Sequence, residues 1–342
     1  MKKKCVAMML IAVMTASLAG CGSSKDGSGK SVKLDPDHPV SLTIWHYYNG
    51  AQQAMFDTLV KEFNASVGKE EGIYVESYSQ GSVSDLEEAV NSSLNGEVGA
   101  EELPDIFSSY SDTAYAVQQQ DKLADLSVYF TEDELSGYVD SYIQEGYFNQ
   151  DGALYLFPVA KSTEITMINK TDWEPFAEAT GTTVDELATT EGITEVAQRY
   201  YEWTDEQTPD VPDDGKAFYG RDSMSNYFII GMKQMGKEIF QVKDGKMILN
   251  TDEDLIRRLW DNYYVPYMKG YFASLGKFRS DDVKTGDILA YTGSTSSAVY
   301  FPDTVEKENE SYPIDYIVCD SPVMEGGENI KVQQGAGMAV TK

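Results

Sequence analysis

Cysteine, histidine and basic residues are all scarce in this sequence. Three cysteines and two histidines among 342 residues offer no disulfide framework and no zinc-type spacing. Lysine and arginine total 27 against 56 aspartates and glutamates, for a formal net charge of −29 and a pI near 4.3. A surface so acidic repels phosphates, which disfavours nucleic acids and electrostatic attachment to anionic membranes. The chain also lacks internal repeats, heptads, a nucleophile motif and a glycine-rich phosphate loop. Asn250 to Asp254 has neither the glycine nor the spacing of a calcium loop and reads as a helix start. Carboxylates are plentiful enough that a pair could in principle hydrolyse a glycoside. Their abundance makes any one pair uninformative, so no catalytic residue, metal or cofactor is assigned.

What is present begins at the N-terminus. Lys2, Lys3 and Lys4 precede an apolar run from Cys5 to Leu18, too short to span a bilayer comfortably and typical of a secretion signal. It ends in Leu18-Ala19-Gly20-Cys21, which resembles the bacterial lipobox. Residues 1–20 are then a lipoprotein signal peptide and Cys21 a lipidated mature N-terminus; ordinary cleavage beside an incidental cysteine is the alternative. Each acyl chain contributes about 0.8 kcal/mol per buried methylene, so the expected location is the extracytoplasmic face of the cell membrane, held by lipid alone. Cys319 remains as an unpaired thiol and reads as a small buried hydrophobe. Residues 21–39, rich in glycine, serine and charge, form a flexible tether.

From Val40 the pattern alternates. Val40–Trp45, Ile73–Tyr78 and Pro104–Phe107 read as strands, with helices over 51–64 and from a capping box at Ser84-x-x-Glu87 to Leu94. This β-α-β-α-β order implies an open α/β lobe. Length favours a second domain, at about 150 residues each. Ala153–Phe157 and Glu164–Asn169 read as two short strands split by Pro158, which cannot donate to a ladder: a crossing from one lobe to another. Thr131-x-x-Glu134 ahead of it and Thr183-x-x-Glu186, Thr194 and Thr251 beyond it mark helix starts, Met224–Gly236 reads as a buried helix, and Gly286–Tyr291 and Tyr316–Pro322 as strands. The closing GAGMAVTK reads as a strand entering a lobe, and C-terminal helices beyond it are expected to complete that lobe.

The ordered set of lipobox, Leu42-Thr43-Ile44-Trp45, Leu103-Pro104-Asp105-Ile106, Pro158 followed by a strand ending in Ile168-Asn169-Lys170, and Gly335 to Val340 resembles the family 1 extracellular solute-binding proteins, which include maltodextrin-binding protein. The resemblance implies an α/β, two-lobed, periplasmic-binding-protein-like (type II) clamp with discontinuous lobes joined by crossover strands. It also implies a monomeric receptor that carries a small solute, a sugar first, to ABC permease subunits. The expected lobes are 40–158 with 294–335, and 159–293 with 336–342, the latter truncated at its C-terminal end. Ligands in open α/β sheets bind beyond the carboxyl ends of strands and between domains.

Candidate ligand residues follow from that placement. Tyr47, Tyr48 and Asn49 come directly after the first strand and offer aromatic faces and an amide to a sugar ring. Tyr110 and Asp112 follow the third strand; Asp112 is the position at which maltodextrin-binding relatives carry an acid, and a helix N-cap is its alternative role. Lys161 and Ser162 lie in the crossover, Lys161 suited to an anionic ligand or to a solvated hinge, while Ser162 stands where those relatives have a glutamate. Ser294 and Thr295 occupy a turn where the relatives carry tryptophan, so their hydroxyls suit a sulfate or phosphate as well as a sugar, and Tyr227 is a substitute aromatic. A surface lipoprotein that binds a polysaccharide or partner without transport, and a glycoside-acting enzyme, are the competing functions.

Overall fold

The computed structural model describes residues 33–149, 151–243, 246–307 and 310–342. The signal segment, the lipobox with Cys21 and the first part of the tether lie outside them. The chain divides into two compact units at Gly81 and Ser82. No helix among the described residues is long and apolar enough to cross a membrane.

In the first unit β1 (Val40–His46) and β2 (Ile73–Ser79) pair in parallel from Val40↔Ile73 to His46↔Ser79. They are connected through α1 (Gly50–Ala65) and α2 (Val67–Glu71). Phe56, Val60 and Phe63 of α1 are half-buried, whereas Met55 and Leu59 stay exposed. Asn64 ties α1 to β2, donating to Val75 O and accepting from Val75 N, both at 2.8 Å.

The second unit opens with α3 (Val83–Leu94), whose cap is Ser82 rather than the expected Ser84: Ser82 Oγ accepts Asp85 N–H at 3.2 Å. β3 (Ile106–Ser109) leads into α4 (Ser111–Gln118). The capping box at Thr131 and Glu134 forms as expected on α5 (Glu132–Ser136), followed by α6 (Asp140–Gln144). Of the strand expected over 153–157 only Phe157 joins a ladder. Ala153 to Leu156 are buried without one, and β4 is the pair Phe157–Pro158. Proline is tolerated there because β4 is an edge strand.

β5 (Glu164–Asn169) has the expected bounds and is buried on both faces at all but one position, hence its near-continuous apolar run. α7 (Lys170–Thr180) and α8 (Thr190–Asp205) cover it. Trp173, Phe176, Ile193, Val196 and Tyr200 pack with Ile168, Phe218 and Leu289 in one core. The cap of α8 is Thr189, and Thr194 lies inside the helix. β6 (Tyr219–Arg221) and α9 (Met224–Gln234) follow, then the hairpin β7 (Phe240–Lys243) and β8 (Lys246–Leu249). α10 (Glu253–Asp261) is capped by Asp252, not Thr251; α11 (Tyr264–Met268) and α12 (Arg279–Thr285) come next. β9 runs over Ala290–Ser294, four residues beyond the expected Gly286 start, because Gly286 (φ +73) is instead the left-handed cap of α12. β10 (Thr304–Lys307) and β11 (Glu310–Pro313) form a second hairpin.

β12 (Tyr316–Asp320) pairs with β5, and β5 with β9, both antiparallel, while β6 runs parallel to β9, giving the order β12-β5-β9-β6. β13 (Gly337–Val340) pairs instead with β3 and with β4. Residues 316–320 share a sheet with β5, and 337–340 share one with β3, because the chain crosses back between β12 and β13 and not before β12.

Candidate functional site

One edge of the four-stranded sheet gathers the beginning of β5 and the ends of β6 and β9. Glu164, the first residue of β5, lies opposite Ser294, the last of β9, and Arg221 at the end of β6 lies opposite Thr292. Arg221 Nη2 donates to Glu164 Oε2 at 2.5 Å and Asn226 Nδ2 to Glu164 Oε1 at 2.9 Å. The two charged side chains are only 6% and 4% exposed. A pair this deeply buried is held by mutual compensation, because either charge alone there is costly.

The surroundings fix this pair. Ser223 Oγ caps α9 by accepting Asn226 N–H, which sets the amide that reaches Glu164. The Arg221 guanidinium lies 5.3 Å from the centre of the Tyr227 ring, a cation–π contact. Beneath the edge Tyr219 OH donates to Thr292 Oγ1 at 2.6 Å, and Thr292 shares a hydroxyl bond with Thr166. Burial raises the Tyr219 phenol, which stays protonated as the donor. A cavity of about 10 Å³ lined by Glu164, Thr190, Arg221, Tyr227, Gln234 and Ser321 lies behind the pair, room for a single water. Arg221 Nε is buried there without a hydrogen-bond partner.

Asp222 is the exposed acid of this edge. Its Oδ1 accepts Arg279 N–H at 3.0 Å. Partial burial nonetheless pushes its carboxyl above the usual range, against the lowering effect of the Arg279 contacts. A side chain at Gly293 would bring its Cβ within 2.3 Å of Asp222 Oδ2, so glycine is what lets the acid sit over the end of β9.

The expected residues fall at several places. Ser294 and Thr295 are at this edge: Thr295 N–H donates to Thr163 O at 2.7 Å, and Ser294 Oγ accepts Ser296 N–H to cap the turn over 295–300. Ser162 exchanges both backbone bonds with Gln334, at 3.0 and 2.8 Å. The Lys161 ammonium donates to Glu145 Oε2 and Gly335 O. Tyr227 is a core residue whose hydroxyl donates to Leu259 O at 2.7 Å. Tyr110 is the cap residue of α4, and Asp112 sits in its first turn rather than at the cap. Burial, with Asp112 nearby, raises the Glu87 carboxyl. In the first unit Tyr47 and Tyr48 are half-buried and Asn49 is exposed. Their loop is pinned by Ser79 Oγ donating to Tyr48 O and Asn49 Nδ2 to Gly81 O.

Sequence reasoning missed Arg221, Asp222 and Asn226. The available signal was an Arg-Asp pair directly before a serine helix cap, in a stretch otherwise apolar or small. Among the described residues no cluster of metal-ligating side chains occurs. Chemically, the edge offers hydrogen-bond donors and acceptors, and its buried charges are already matched.

The family described as bacterial extracellular solute-binding protein matches residues 58–342. The chain belongs to that family. Among curated proteins this solute-binding chain is similar to the diacetylchitobiose binding protein DasA of Streptomyces coelicolor, 22% identical, across 98% of this chain and 75% of the relative. Among solved structures it is similar to UgpB from Mycobacterium tuberculosis in complex with glycerophosphocholine (TM-score 0.67, 18% identity, 88% of this chain and 70% of that one). It is also similar to the galacto-N-biose-/lacto-N-biose I-binding protein of an ABC transporter from Bifidobacterium longum (TM-score 0.66, 15% identity, 93% and 72%). The fold class is the two-lobed, periplasmic-binding-protein-like type II clamp, and the relatives are binding proteins.

Proposed function

We propose that this solute-binding protein is a monomeric, lipid-anchored receptor that closes on a carbohydrate between its lobes and hands it to an ABC permease, without catalysing a reaction. The observation that carries the reading is the polar edge at the ends of β6 and β9. Glu164 and Arg221 cancel one another in the interior, leaving Asp222, Asn226, Ser294 and Thr295 as groups for a ligand that is neutral and rich in hydroxyls. With Asp222 facing out and a net charge of −29, a phosphate or sulfate is the weaker fit. DasA and the lacto-N-biose-binding protein are named for disaccharides, which supports the same class. Tyr47, Tyr48, Asn49, Tyr110 and Asp112 are the proposed contacts from the first lobe. The strand pairing supports placing 337–340 with that lobe and 316–320 with the second. Cys21 is the proposed lipidation site.

Closure must gain contacts that the open form lacks. The test is thermal denaturation of the full-length protein against mono- and oligosaccharides, polyols and sugar phosphates. A saccharide at 100 times its dissociation constant is expected to add about 2.7 kcal/mol. A melting temperature unmoved by every saccharide, or moved only by a phosphorylated compound, contradicts the reading.

A further inference from the structure

Between the β3–β13–β4 ladder and the four-stranded sheet the second unit has two covalent passages, residues 159–163 from β4 to β5 and residues 321–336 from β12 to β13. They run antiparallel and touch: Ser162 and Gln334 exchange backbone bonds, and Thr163 Oγ1 donates to Val332 O at 2.7 Å. Between these rungs and the β4–β13 ladder the two backbones approach closely at Ala160 and Gly335. Gly335, at φ +93, is required there, since a Cβ would meet Ala160 O at 2.3 Å.

Lys161 lies at this close approach. Its side chain is 4% exposed, and the ammonium bonds Glu145 Oε2 at 2.5 Å and Gly335 O at 2.6 Å. Glu145 is the C-cap of α6, and the same oxygen accepts Gln333 Nε2 at 2.7 Å; Gln333 also donates to Ser141 O. Helix α6 packs through Ile143 into the cluster that includes Phe157 and Val340, so it belongs to the β3–β13–β4 layer. One carboxylate on that layer thus holds a side chain from each passage.

We infer that Lys161, Glu145 and Gln333 form a latch that pins both passages to the β3–β13–β4 layer, confining rotation of the other sheet to residues 162–163 and to the residues that precede Gln333. Lys161 is on this account a positioning residue for closure and not a ligand contact. The inference stands on hinge geometry whichever solute is bound. A charge network that merely avoided an unpaired ion would be replaceable by apolar side chains; a latch that sets the pivot would not.

Those two cases separate in amide exchange on the full chain, followed by mass spectrometry together with melting temperature, for K161M, K161R, E145Q and the double variant K161M/E145L. The expected result is exchange about tenfold faster over 159–163 and 332–336 in K161M and E145Q, with β5 unchanged. K161R is expected to restore protection. The double variant should regain the melting temperature, having no orphaned charge, yet keep the fast exchange. Native exchange in both passages of K161M, or recovery of exchange as well as melting temperature in the double variant, overturns the inference.

Discussion

His46 is fully buried at the end of β1, where its Nδ1 accepts Tyr48 N–H at 3.2 Å and its ring meets Phe56 edge-on at 4.8 Å. A nitrogen that accepts an N–H must be unprotonated, so the folded state needs the neutral ring. Burial lowers its pKa below 6.5, against the opposing pull of Asp57. The unfolded chain takes up the proton first as pH falls. This residue's contribution is therefore intact above 6.5 and is lost as pH drops through the lower folded value. Urea midpoints across roughly pH 5 to 8 should fall at the acid end for the native protein and fall less steeply for H46N; equal slopes would show that His46 does not titrate against the fold. Asp222 has the opposite sign: its raised carboxyl means that ionisation at neutral pH is slightly unfavourable in the fold. D222N should not lower the melting temperature, yet should weaken saccharide binding by about 10- to 100-fold, the worth of one charge-assisted hydrogen bond. Binding unchanged in D222N would remove Asp222 from the site. Replacing Arg221 by methionine leaves Glu164 buried without its cation, at a cost of about 3–5 kcal/mol. A urea midpoint near native would show that water reaches the pair.

At the scale of elements, the apolar strand of the crossover and the capping box at Thr131 were legible before the structure. Glu164–Asn169 has the same bounds in both, because a strand buried on both faces is written as an apolar run, and Thr131 with Glu134 forms its box. What escaped was set by distant contacts. Ala153–Leu156 is as apolar as a strand, but no partner pairs with it, and its side chains fill the core from an extended loop. β6 spans three residues and exists because β9 and Phe272 flank it, so no local period announces it. The site escaped for the same reason: Glu164, Arg221 and Asn226 are brought together by sheet pairing across 57 residues and more. Of the expected ligand residues, Ser294 and Thr295, adjacent to a strand end in the sequence itself, lie at that edge. The crossover was legible as a proline-split pair of strands and as a closing strand entering a lobe, though not the contact between the two passages, where Gly335 is the critical residue. G335A should lose about 1–3 kcal/mol from a strained backbone and a collision with Ala160, read as a lower denaturation midpoint. An unaffected midpoint would mean that the two passages separate freely.

For the whole molecule, the net charge of −29 keeps the folded chain off anionic surfaces, so lipid at Cys21 is the proposed tether. C21A is expected to move the protein from the membrane fraction into the medium of producing cells, and retention at the membrane would argue for another anchor. Family membership and the polar edge together make saccharide capture the central claim. Isothermal titration of the full-length protein with diacetylchitobiose, lacto-N-biose and maltotriose, run beside D222N, tests it most directly. The account predicts saturable one-to-one binding of at least one saccharide to the native protein, weakened by the substitution. Heat flat for all three, with saturable binding of a non-carbohydrate solute in their place, would contradict it.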